Sequence, residues 1–312
     1  MSSSPLKLRF GTRGSKLALW QTRHVAEKLR GCIPGIDIGE VLIKTLGDRV
    51  TDVPLFHVGG QGVFVAEIEK ALQERHIDVA VHSLKDLPHA MADGLCLAAV
   101  TTREDGRDAL ISRAGHRLAE LPAGSKIGTS SLRRRAQLAR RRPDLHFVDC
   151  RGNLDTRLRK LDEGEYDAIL LAAAGLRRLG WADRMTELFA PGDLIPAAGQ
   201  GMLGIQCRAD DHELIQLLAG VLNDPSASRC AAAERAFLHR LQGGCQTPMG
   251  VHAEPGEGME LRLTAFAASA DGKTYYRSEL AGLAVDADEL GCLAADDLLR
   301  QGAAEILLSE RV

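Results

Sequence analysis

Short apolar runs alternate with helix-like segments in this chain, and the alternation breaks off and begins again. Leu6–Phe10 is strand-like and Ser15 can cap a helix running to about Arg30. Val41–Ile43 is a second strand, Val63–Glu74 a helix and Asp78–Val81 a third strand. This β-α-β alternation predicts a largely parallel sheet with helices on its faces. Gly47, Pro54, Gly59, Gly60 and Gly62 mark a loop too long to be a simple connection. The pattern restarts with a strand at Lys126–Gly128, a helix over Leu132–Arg141 and a strand at His146–Val148. A helix over Asn153–Leu161 and an apolar strand at Ala168–Ala172 complete a second α/β domain. Leu203–Cys207, beyond the turn Ala198-Gly199-Gln200-Gly201, is a further strand that could return to either sheet.

Asn223-Asp224-Pro225 reads as a linker, followed by an Ala-rich helix over Ser226–Leu241. Three strand-like runs lie near 249–253, 260–268 and 274–280, and Asp286–Gln301 closes with a helix. The expected architecture is α/β: two doubly wound domains with a small C-terminal α+β domain. The expected boundaries are 1–102 with 200–220, then 106–196, then 225–312. Aromatic residues make up only 4% of the chain, so Ala, Leu, Val and Ile must fill these cores.

Charge is distributed unevenly along the chain. Lys126 to Arg159 holds ten Lys/Arg against three acids, whereas Val251 to the end holds twelve acids against five bases. The middle is built to meet negative charge, and the C-terminal part is not. Seven scattered cysteines without a C-x-x-C pair argue against a disulfide framework and a structural zinc site. The histidines show no metal-ligand spacing, so no metal is expected. No apolar run is long enough to span a bilayer, and the start lacks the apolar core of a signal peptide. The expected location is the cytoplasm, with no membrane partner.

Five short motifs carry the chemistry. Thr129-Ser130-Ser131-Leu132-Arg133-Arg134-Arg135 puts hydroxyls between a strand and a helix start, where free backbone N–H groups bind anions. Guanidinium forks there can grip carboxylates through two bonds. Cys150-Arg151-Gly152-Asn153 repeats the arrangement at the next strand end, with Arg157 one turn on. In a parallel sheet both turns fall at the carboxyl ends of the strands, where α/β proteins bind ligands. The alternative for Arg135 and Arg140–Arg142 is a solvated basic helix face. His82-Ser83-Leu84-Lys85-Asp86-Leu87-Pro88 follows an apolar strand, and a carboxylate there can stabilise a developing cation and move protons. Thr12-Arg13-Gly14-Ser15 is another anion-site geometry, and with the arginines it describes a cleft between two domains. Finally, Leu241-Gln242-Gly243-Gly244-Cys245-Gln246-Thr247-Pro248 puts a thiol on a glycine turn. Cys245 can be a nucleophile, a covalent anchor or a small buried hydrophobe.

Taken in order, these residues make the chain resemble the porphobilinogen deaminase family nearly end to end. The matching motifs are Thr-Arg at 12–13, Ala-Leu-Trp-Gln at 18–21, Val-Gly-Gly at 58–60 and His-Ser-Leu-Lys-Asp-Leu-Pro at 82–88. They continue with Gly-Thr-Ser-Ser-Leu-Arg-Arg at 128–134, Arg-Gly-Asn at 151–153, Gly-Gln-Gly at 199–201 and Gly-Gly-Cys-Gln-Thr-Pro at 243–248. The resemblance implies two domains like those of periplasmic binding proteins. It implies a monomeric transferase of haem biosynthesis that joins four porphobilinogens head to tail, releasing ammonia and finally hydroxymethylbilane. It implies a dipyrromethane cofactor, held by a thioether to Cys245, on which the chain grows. By the same resemblance Asp86 is the catalytic residue. Arg133, Arg134, Ser131, Lys85, Asp86, Arg157 and Gly201 would meet the cofactor. Arg13, Ser83, Lys85, Thr129, Arg151, Arg178 and Gln200 would meet the substrate. His57 and Gln61 stand where members often carry lysine. Two rival readings are a non-catalytic anion-binding protein and an RNA-binding one. The first leaves the Gly-Gly-Cys turn without a purpose; the second lacks aromatics for base stacking.

Overall fold

The structure, a computed structural model, describes residues 6–49, 65–242 and 247–309. Most of the long glycine loop, with His57 and Gln61, and the Gly243–Gln246 part of the cysteine turn lie outside the described residues. The described chain forms two compact units, 1–103 with 202–228 and 104–201 with 229–312.

The first unit is built on one five-stranded sheet. Its strands are β1 (Lys7–Thr12), β2 (Asp37–Leu42), β3 (Val79–Ser83), β4 (Leu95–Val100) and, from later in the chain, β10 (Leu203–Arg208). Their order is β2-β1-β3-β10-β4. β1 is parallel to both β2 and β3, while β10 runs antiparallel to β3 and β4. β2 starts earlier than its apolar Val41–Ile43 end suggests. Lys7↔Asp37 through Thr12↔Leu42 pair without interruption, Gly39 included. Helices α1 (Lys16–Cys32), α2 (Leu46–Arg49) and α3 (Ala66–Gln73) belong to this unit, as does α7 (His212–Leu222). One sheet face packs Phe10, Val79, Val81 and Ile205 on Val25, Leu29 and Leu218. The other packs Ala80 and Ile77 on Ile68 and Leu72. Successive strand residues point to opposite faces, so both faces need an apolar set and a helical cover.

The second unit repeats the plan. Its strands are β5 (Asp108–Ser112), β6 (Lys126–Gly128), β7 (His146–Val148), β8 (Ala168–Ala172) and β9 (Glu187–Leu188), in the order β7-β6-β8-β5-β9. β6 is parallel to β7 and β8, and β5 is antiparallel to β8 and β9. Each sheet therefore holds one antiparallel strand in the same internal slot. β5, the first strand of the second unit, fills it there; in the first sheet it is filled by β10, to which the chain returns only after the second sheet is complete. The helices here are α4 (Leu132–Arg141), α5 (Leu154–Asp162) and α6 (Ala173–Arg178). Leu110 and Leu170 face one core, while Ala109, Ile111, Ile169 and Leu171 face the other.

The C-terminal part follows α8 (Pro225–Arg240). It is an antiparallel sheet, β11 (Met249–Pro255), β12 (Glu260–Ala268) and β13 (Tyr275–Leu283), with α9 (Ala287–Gln301) and α10 (Ala303–Ser309). This layer packs on α4 within the same compact unit. Ala136, Ile195, Phe266 and Ala268 share a core, Phe266 stacks on Tyr275 at 5.1 Å, and Arg140 lies 5.0 Å over the Tyr275 ring. Gly272 sits at φ 71° directly against the Ala136 carbonyl, where a side chain has neither room nor a relaxed backbone. No described helix is long and apolar enough to cross a membrane.

Candidate active site

In the first unit, β1 and β3 are parallel neighbours, so their carboxyl ends lie on one edge. Arg13 follows β1, and Ser15 caps α1 by accepting the Ala18 N–H at 3.3 Å. Ser83 ends β3, and its Oγ accepts from Gln21 Nε2 of α1 at 2.9 Å. A 3₁₀ turn, Leu84–Asp86, follows at once. It is anchored from below: Leu84 and Leu87 are buried, and Leu84 N–H donates to Met202 O at 3.0 Å. The anchor needs Gly204 on β10, where a Cβ would stand 3.0 Å from Leu84 Cδ1 and 3.0 Å from Leu97 Cδ1. The result is an exposed Asp86 carboxylate and a half-buried Lys85 on a turn anchored by these contacts.

His82, one residue before Ser83, is buried. Gln206 Nε2 donates to Glu69 Oε1 at 2.7 Å, so Gln206 Oε1 accepts from His82 Nε2 at 3.0 Å. Burial pushes His82 down to about 4; the Gln206 bond opposes this and the Arg13 charge adds to it. This imidazole is therefore a neutral strut at ordinary pH.

In the second unit the carboxyl ends of β6, β7 and β8 share an edge, and antiparallel β5 begins there with Asp108. Asp108 is fully buried and collects both arginines that follow the Thr129–Ser131 turn. Arg133 Nη1 donates to Oδ2 at 2.6 Å, and Arg134 Nε and Nη2 donate to Oδ1 at 3.0 and 2.7 Å. Further donations from these two residues go to Ile195 O at 2.7 Å and Leu170 O at 3.0 Å. Burial alone would raise the Asp108 carboxyl, but the two guanidinium charges and their bonds hold it well below the carboxylate range. Burial pulls Arg133 down, more than the Asp108 attraction restores. Among the described residues, two buried cations thus face one anion, which leaves a unit of positive charge in a site shielded from water.

The hydroxyls beside this cluster are oriented. Thr129 Oγ1 accepts from Ser131 N at 3.2 Å, and Ser131 Oγ accepts from Arg134 N at 3.4 Å as the α4 cap. Each keeps its own O–H to donate outward. Arg151 is loosely paired with Asp149 at 3.8 Å, and Arg157 Nε donates to Gly152 O at 2.8 Å. Arg178, at the end of α6, donates to Gly201 O at 2.7 Å; burial pushes it down to about 10 against the pull of Glu104.

The structure thus gathers Arg13, Ser83, Lys85 and Asp86 at one sheet edge. It gathers Thr129, Ser131, Arg133, Arg134, Arg151, Arg157 and Arg178 at the other. Gln200, expected to meet the substrate, is fully buried, and its Nε2 donates to Gly106 O at 2.8 Å and Asp108 Oδ1 at 3.0 Å, so it also supports Asp108 from within. Cys245 lies outside the described residues. Sequence reasoning missed Asp108, which looks like any acid opening a strand. It placed Gln21 in a motif without giving it a role, and it missed Glu234 within an alanine run.

Comparisons with known proteins agree with one another. Residues 8–216 match the model of the family described as porphobilinogen deaminase, dipyrromethane cofactor binding domain. Residues 228–300 match that of the porphobilinogen deaminase C-terminal domain. A porphobilinogen deaminase of Geotalea uraniireducens is 50% identical over 301 residues, covering 96% of this chain and 93% of the relative. One from Halalkalibacterium halodurans is 49% identical over 302 residues, covering 96% of each. Among solved structures, the methionine binding protein MetQ matches at 12% identity and a TM-score of 0.43, covering 69% of this chain and 89% of that one. Strand order, and not this low score, defines the fold.

Proposed function

The chain belongs to the porphobilinogen deaminase family, and from that premise we propose how its own residues carry the reaction. It is a transferase of tetrapyrrole synthesis that joins four porphobilinogens head to tail, releases ammonia at each joining, and ends with hydroxymethylbilane. The dipyrromethane cofactor supplies the pyrrole end on which the product grows.

The observation that carries the residue assignment is the uncompensated charge at Asp108. A buried unpaired charge costs several kcal/mol, so the Arg133–Arg134–Asp108 cluster favours an incoming carboxylate. Every pyrrole of the cofactor and substrate brings an acetate and a propionate, so the donor set fits. We assign Arg133, Arg134 and Arg157 to cofactor carboxylates, with Ser131 donating its hydroxyl proton there and Thr129 donating its own to the substrate. Gly201, at φ 91°, keeps the backbone near them free of a side chain. Arg13, Arg151, Arg178 and Ser83 take substrate carboxylates, and Lys85 serves either. Gln200 acts through Asp108.

Asp86 is assigned the chemistry. Its carboxylate accepts the substrate pyrrole N–H and stabilises the positive charge that develops as the C–N bond breaks and ammonia departs. A charge-assisted bond of this kind contributes roughly 1.5–3 kcal/mol. The same carboxylate then takes up and returns the proton displaced when the next ring attacks. Cys245 is the assigned attachment atom. The proposed setting is a monomer in the cytoplasm acting on a free small molecule, with neither nucleic acid nor membrane as partner.

Intact mass of the purified protein and of Cys245→Ser tests the assignment. An excess equal to two linked pyrroles on the wild type alone is expected. An unchanged excess on the serine variant would move the attachment elsewhere.

A further inference from the structure

Helix α8 leads into the turn that carries Cys245, and β11 leads out of it. Glu234 stands in α8 and is fully buried. Its carboxylate fastens two other segments of the unit to the helix. Oε1 accepts the Ala253 N–H of β11 at 2.8 Å, and Oε2 accepts the Gly199 N–H at 2.6 Å.

The Gly199 end of that fastener reaches the arginine cluster. Gly199 and Gly201 are left-handed, at φ 71° and 91°, and the turn they make aims Gln200 at Asp108. Earlier in the same segment, Ile195 O accepts from Arg133 Nη1, and Ile195 N donates to Gln137 Oε1 at 2.7 Å. Pro196 O accepts from Val251 N of β11 at 3.1 Å. Gly250 makes that approach possible, since a Cβ there would stand 2.6 Å from Pro196 O and 2.9 Å from Ile195 O. The segment from Ile195 to Gly201 is therefore held by α4 and Asp108 on one side and by α8 and β11 on the other. Both roots of the Cys245 turn hang on it, as do Arg133 directly and Arg134 through Asp108 and Gln200.

We propose that Glu234 is a positioning residue for the reaction: it sets the roots of the Cys245 turn in register with the Arg133–Arg134–Asp108 cluster, so that a primer held at the sulfur meets its arginines. This rests on the assignment of Cys245 as the attachment atom. Two acceptor oxygens are required. A glutamine keeps one and turns an N–H₂ group against the second backbone donor, so one fastening breaks whichever way it faces.

The experiment uses apoprotein incubated with porphobilinogen and followed by intact mass. Glu234→Gln is compared with wild type and with Leu298→Ala, which removes a fully buried α9 side chain of the same unit. Glu234→Gln should gain the two-pyrrole adduct more slowly by up to roughly 100-fold, the effect of about 1 Å of misplacement. Its kcat should fall with KM held within about twofold, and partly elongated masses should accumulate. Leu298→Ala, at equal folded fraction, should load and elongate as wild type does. If Glu234→Gln loads and elongates like Leu298→Ala, Glu234 is merely structural and the proposal is overturned. If Glu234→Gln does not fold, Gly199→Ala displaces the other end of the same bond, and a normal loading rate there overturns the proposal equally. A wild type that gains no adduct, or a Cys245→Ser protein that does, would instead remove the attachment assignment beneath it.

Discussion

Replacing Asp108 by asparagine would leave two buried guanidinium groups with no carboxylate between them. The side chains of Arg133 and Arg134 are 7% and 8% exposed and that of Asp108 is 0% exposed, so water cannot take over its role. Three arginine bonds and one from Gln200 Nε2 converge on the two oxygens. Asparagine keeps one oxygen and presents an N–H₂ group to a donor. Removing one partner of a buried ion pair costs about 3–5 kcal/mol, and with two arginines stranded the upper part of that range is expected. Urea unfolding of apoprotein at pH 7 measures it. The pH dependence makes the test sharper. Asp108 is held far below its unfolded value, so its stabilisation is complete above the unfolded pKa and is lost as pH falls toward the folded one. Below about pH 4 the wild-type advantage should shrink by about 1.4 kcal/mol per pH unit. A difference under about 1 kcal/mol at pH 7, typical of an exposed pair, would refute the reasoning. So would a difference that stays constant down to pH 3.

Three other outcomes are expected. Asp86→Asn should lose roughly 10²–10⁴-fold in kcat yet keep its covalent adduct and its unfolding midpoint, because the group is exposed; near-normal turnover would remove Asp86 from the chemistry. The His82 imidazole should titrate near 4 by NMR, and as pH falls from about 6.5 toward 4 the unfolded chain gains a proton that the native state refuses, so stability declines. An ordinary titration near 6.5 would contradict its burial. Gly272→Ala should destabilise the protein by about 1–3 kcal/mol in urea, from its positive φ and its contact with the Ala136 carbonyl; no change would mean the loop can step away from α4.

Local signals were legible wherever the physics is local. Ser15 and Ser131 are the helix caps their positions suggest, and the strand ends carry the Arg13, Ser83 and Thr129 turns. Pairing between distant strands left no such mark. Leu203–Cys207 is apolar enough for either sheet, and only Leu203↔Ser83 and Cys207↔Cys96 pairing decides the matter. Asp108 is silent in sequence because its meaning lies in two arginines on another element. Glu234 did carry a readable signal. It falls in line with the buried residues Ala227, Ala231 and Phe237 on the apolar stripe of α8, where a lone acid must find partners.

The late return of β10 to the first sheet also orders events during synthesis. β3 and β4 leave the ribosome early, but the strand that lies between them comes only after the whole second sheet has been made. A nascent chain reaching Gly201 holds a first sheet split down its middle, with two open edges facing a slot one strand wide. Open edges of that kind pair with any extended segment nearby, including another copy of themselves. Stopping translation there would do more than shorten the protein. It would unmake the sheet at the opposite end of the sequence and leave an unclosed template.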